Sequence, residues 1–141
     1  MEDFLDQTQY TALITIATLE FKSYASAFDE EYDSELDKLS YIFDNIVKAN
    51  STDLIFYDVV TKLYYEYNKL KQNIVALKEK IVKKHRSKLE PYFEIYFKYQ
   101  KDYKIALSNL MQKINKYETI IDHQLDSCNE YLNNCDNQNI K

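Results

Sequence analysis

The sequence predicts an all-α fold: an elongated antiparallel bundle of three helices with coiled-coil-like seams. Three observations carry that prediction. Glycine is absent from the 141 residues and proline occurs once, so the positive-φ turns that tight β-hairpins favour have no natural supplier. Apolar residues make up 45% of the chain and charged residues 29%, which is enough for a packed core and argues against wholesale disorder. Those apolar residues recur at three- and four-residue spacing along nearly the whole chain. That is the period of a helix with one buried face.

The first helix is expected over residues 3–48. Its apolar run Tyr10, Ile14, Ala17, Phe21, Tyr24, Phe28 resumes one residue out of phase as Tyr32, Leu36, Leu39, Phe43, Ile46. The slip falls at 29–35, inside the acidic cluster Asp29, Glu30, Glu31, Asp33 and Glu35. It marks either a kink or a boundary that would make the bundle four-helical. A second helix is expected over 53–86. Asn50, Ser51, Thr52 and Asp53 offer N-cap oxygens ahead of it. The Asn50-Ser51-Thr52 triplet also fits a glycosylation acceptor, but helix-start chemistry is the simpler reading. Phe56, Val60, Leu63, Tyr67, Leu70, Ile74, Leu77 and Ile81 fill successive seam positions of four heptads. Lys83, Lys84, His85 and Arg86 then stand where cations favour the dipole of a helix end.

A third helix is expected over 89–132. Ser87 and Glu90 have capping-box spacing, and Pro91 suits a first helical turn. Its seam runs through Phe93, Tyr96, Tyr103, Leu110, Tyr117, Ile121 and Cys128 to Cys135, with Gln100 and Gln124 as polar interruptions. The bundle is expected to occupy 1–132 as a single domain. The polar, asparagine-rich tail 133–141 is expected to fray.

Several chemistries are excluded or disfavoured. Without glycine there is no phosphate-cradling loop and no nucleophile elbow. Neither His85 nor His123 follows a glutamate by three residues, as di-metal helical bundles require. Cys128 and Cys135 form no C-x-x-C pair and stand about 10 Å apart on one helix, too far for an intrachain disulfide. The stripe Glu118, Asp122, Asp126, Glu130 reads as a solvated face. No catalytic residue, cofactor, metal or small-molecule substrate is therefore expected. The acidic start and the lack of a spanning apolar run lead to the expectation of an intracellular protein, cytoplasmic or nuclear, neither secreted nor transmembrane.

Charge is strongly segregated beneath the net −5. Residues 1–66 hold 14 acids and 4 bases, residues 67–116 hold 4 acids and 13 bases, and residues 117–141 hold 5 acids and 1 base. Folded up-down-up, this places a basic end at the second turn and an acidic end at the first.

Fourteen tyrosines are the strongest compositional oddity. Tyr92, Tyr96, Tyr99 and Tyr103 lie at helical spacing, with Phe93 and Phe97 beside them. An aromatic turn of this kind is expected to dock a partner, since a tyrosine ring packs while its hydroxyl stays wet. The leading expectation is a non-enzymatic helical interaction or assembly protein, with self-association among its partners. A second is a binder of anionic membrane or another polyanionic surface through Lys83, Lys84, Arg86 and Lys88. Nucleic acid is the weaker form of that reading, because the acidic end would repel it. A third is an acidic inhibitor or immunity-type protein that caps a basic target.

Overall fold

The computed structural model describes residues 4–49 and 53–140. It is an all-α helical bundle, with no strand among the described residues. Helix α1 spans Gln7–Ala27, α2 Asp33–Ala49, α3 Leu54–Ile81 and α4 Gln100–Ile140. The expected caps at Asn50, Ser51 and Thr52 lie outside the described residues. Asp53 Oδ1 accepts from the Ile55 amide at 3.0 Å and starts α3. Helix α1 opens on a reciprocal capping box. Asp6 Oδ1 accepts from Gln9 N at 2.8 Å, and Gln9 Oε1 accepts from Asp6 N at 3.0 Å. Such a cap contributes about 1 kcal/mol.

The phase slip of the first run has a specific cause. Residues Phe28–Tyr32 form a π-helical turn between α1 and α2. A π turn holds one residue more than an α turn, so the apolar run shifts by one residue after Phe28 and still buries Leu36, Leu39, Phe43 and Ile46. A second π turn, Val82–Arg86, follows α3. It brings His85 and Leu89 into the core at successive four-residue steps from Ile81. The second helix therefore does not end at 86. It continues through a single helical turn, Ser87–Leu89, into a 3₁₀ turn at Glu90–Tyr92.

The expected capping box at Ser87 is not formed. Ser87 Oγ donates back to Lys83 O at 3.1 Å, and Glu90 accepts from Arg86 Nε at 3.1 Å. Pro91 lacks the amide an advancing helix would need, which ends the helix there. The third long helix accordingly begins at Gln100 rather than 89, and it runs past 132 to Ile140.

The chain forms two compact units. The first comprises residues 1–28 and 75–115. Its core contains Tyr10, Ile14, Ala17, Phe21, Ile81, Leu89, Tyr103, Leu110 and Ile114. Register is set by contacts from α1. Tyr24 meets Lys80 and Glu20 meets Lys84, an antiparallel order. Phe21 meets Tyr103 and Ala25 meets Lys113, a parallel order. The second unit comprises residues 29–74 and 116–141. Leu39, Phe43, Ile46, Val60, Leu63, Tyr67, Ile74, Ile121 and Cys128 are buried in it. There Tyr117 donates to Asp33 and Phe43 packs on Tyr131, so α2 and α4 run parallel.

The two units carry unlike charge. The first holds 11 bases and 8 acids, the second 7 bases and 15 acids. Their formal charges are +3 and −8.

Candidate functional site

The four tyrosines expected to form one docking stripe have three different roles. Tyr103 is fully buried beside Phe21 and Phe93. It belongs to the core and not to a docking face. Tyr92 and Tyr96 clasp the chain's own N-terminal segment. The Leu5 amide donates to Tyr92 Oη at 3.1 Å, and Tyr96 Oη donates to Leu5 O at 2.8 Å. Phe4 sits edge-on against Tyr92, with centroids 5.2 Å apart. Of the four, only Tyr99 is exposed. The stripe fails because 93–99 is a connector, so helical spacing does not carry through it.

Tyr99 also has a backbone φ of 68°. A left-handed tyrosine is strained by about 1–2 kcal/mol. The strain is held in place by Gln100, whose Nε2 donates to Phe93 O and Tyr96 O, both at 2.6 Å. Tyr99→Gly is expected to raise stability by about 1 kcal/mol, the relief of strain exceeding glycine's extra chain entropy. Urea unfolding checks it, and a loss of stability would mean that the Tyr99 ring packs more than its exposure implies.

The basic residues also divide. Lys83 and Lys88 are exposed. Lys84 Nζ is 2.8 Å from Glu20 Oε1, and Arg86 Nε is 3.1 Å from Glu90 Oε1. His85, which the sequence placed on a charged helix end, is buried with its ring edge-on to Phe21 and its Nε2 2.7 Å from Glu20 Oε2. Glu20 thus serves two partners at once. The Lys84 hydrogen bond pulls its carboxyl below the usual range, partial burial opposes that, and His85 adds to the lowering.

A carboxyl lowered on folding contributes stability that is complete above its unfolded value of about 4.5. That stability is lost as pH falls through the lower folded value. Glu20→Gln is expected to cost about 1–2 kcal/mol at neutral pH, the scale of a charge-assisted hydrogen bond. The gap to wild type should close in acid. Urea midpoints at pH 7 and pH 3 test this, and an equal gap at both would contradict it. No group of three or more metal-ligating side chains occurs among the described residues.

One surface stands out that the tyrosine spacing did not indicate. Residues 7–19 contain no charged side chain. Only one face of that stretch is buried, through Tyr10, Ile14, Ala17 and Thr18. Its outward face presents Thr8, Ala12, Thr15, Ile16 and Leu19, all exposed, with Leu19 at 60%. The connector adds exposed Ile95, Phe97 and Tyr99, with Phe97 at 74%. Between the outward face and Tyr99 lies a groove of about 600 Å³, lined by Thr8, Ala12, Thr15, Ile16, Lys98 and Tyr99. A surface helix ordinarily carries charge on its solvent side, and contiguous exposed apolar area marks interaction sites.

No helix among the described residues is long and apolar enough to cross a membrane. The chain matches no protein-family model, no curated protein and no solved structure.

Proposed function

We propose that this chain is a protein-docking module that receives a partner helix on the uncharged outward face of α1. The single observation behind this reading is a solvent-facing helix surface with no charge from Gln7 to Leu19. Ile16 and Leu19 are its exposed apolar side chains, and Tyr99 of the connector borders the groove beside Ile16. Small side chains at Thr8, Ala12 and Thr15 allow a second helix to approach closely. Docking is favoured over an anionic-surface role because Lys84 and Arg86 each already face a carboxylate of their own unit.

Photo-crosslinking tests the reading. A benzophenone amino acid is placed at position 16 or 97, with exposed Asn109 as the control position. Adducts are mapped by mass spectrometry. Positions 16 and 97 are expected to capture an amphipathic helical segment that position 109 does not. Equal capture at all three, or none at 16 and 97, would refute it.

A further inference from the structure

We infer that the occupant of the α1 face is the acidic unit of a second copy of this chain, through the outward side of α2. The inference rests on the docking role proposed for α1 and names its partner. Complementary charge is what selects this occupant. The unit that carries the α1 face is +3, and the other unit is −8.

The local pattern matches the totals. The outward stripe of α1 ends at Lys22, one helical turn beyond Leu19, and Lys98 lines the groove beside Tyr99. The receiving side thus carries a cation in the groove and another one turn beyond Leu19. On α2, Tyr41 is 71% exposed, with Ile42 exposed next to it. Asp37 lies four residues before Tyr41 and Asp44 three after, so both share its face, and both are exposed. Lys38 is the cation within that stretch. The donated surface is therefore an aromatic anchor between two carboxylates, the counterpart of an apolar face that carries these two lysines.

Pairing of this kind joins unlike patches. It brings opposite charges together and keeps like faces apart. Because the charges are exposed, salt should weaken the contact.

Charge reversal tests it. One variant carries Asp37→Lys and Asp44→Lys, the other Lys22→Glu and Lys98→Glu. Sedimentation velocity is run at 50 and 500 mM salt, with circular dichroism to establish that each variant is folded. Wild type is expected to self-associate and to weaken about tenfold at the higher salt. Each variant alone should weaken at least about tenfold at low salt, and an equimolar mixture of the two should recover association.

A wild type that stays monomeric, or variants that associate as wild type does, would overturn the inference. So would a mixture that fails to recover. Crosslinks from position 16 distinguish the two proposals. Adducts to residues 37–44 of another copy support both, whereas adducts to a different protein retain the docking role and reject this occupant.

Discussion

Deletion of Glu30 is expected to leave a folded helical protein, within about 1 kcal/mol of wild type. In a regular helix a one-residue deletion turns everything beyond it by about 100°. At Glu30 the π turn holds one residue more than an α turn needs. Removing that residue carries the 3–4 alternation from Tyr10 through Phe28 into Leu36, Phe43 and Ile46 without interruption. Deletion of Lys116 is the control. It too is exposed, but α4 is a single α-helix from Gln100 to Ile140, with no π turn to absorb the change. Tyr117, Ile121, Leu125, Cys128 and Cys135 all lie beyond it and are buried. Exposing side chains of this size costs roughly 1.5–3 kcal/mol each, which together exceeds the margin of a small domain. The Lys116 deletion should therefore not fold, as judged by helical signal and thermal unfolding. Equal damage from the two deletions would mean that the π turn is not a spare residue.

The second large effect is a steep loss of stability in alkali. Burial pushes the Cys128 thiol from about 9 up to about 11. Burial likewise raises the Tyr103 and Tyr117 phenols, Tyr103 with help from Glu90 and Tyr117 with help from its hydrogen bond to Asp33. An acid whose folded value is raised binds more protons in the folded state than in the unfolded one. Stability is then complete below the unfolded value and falls as pH rises towards the folded one. For Cys128 that window runs from about pH 9 to about pH 11. The loss is roughly 3 kcal/mol across it, and the tyrosines extend it above pH 10. Cys128→Ala should be less stable at pH 7 but flatter with pH over that window. An unchanged slope would show that Cys128 is not the titrating group. Tyr103 allows a companion test, because its buried hydroxyl has no hydrogen-bond partner among the described residues. Tyr103→Phe should raise stability at neutral pH by about 1 kcal/mol, the cost of an unsatisfied buried hydroxyl.

The parts of the fold legible in the sequence are those where one period governs a long run. Val60, Leu63, Tyr67, Ile74 and Ile81 are seam positions by spacing alone, and all are buried. The slip between Phe28 and Leu36 was visible as a broken phase, and its cause is a π turn. The second π turn left no such trace. Lys83, Lys84 and Arg86 surround His85 and made the segment look like a charged helix end, although Glu20 draws the imidazole into the core. The connector 93–99 was illegible for a related reason. Its aromatics have helical spacing, and the left-handed position at Tyr99 has none of the glycine that normally announces it. That missing break put Tyr103 in the docking stripe as well as on the seam, and only the seam position holds. The α1 face was legible in another way, as an absence of charge over 7–19 that the threonines disguised as ordinary polar surface.

The most direct test of the docking face is the double variant Ala12→Glu with Leu19→Glu, measured both for stability and for association. Both residues are exposed, so two added carboxylates should change the urea unfolding free energy by less than about 0.5 kcal/mol each. The same charges should abolish partner capture at position 16. A variant that loses several kcal/mol of folding stability, or that captures its partner as wild type does, would contradict the account.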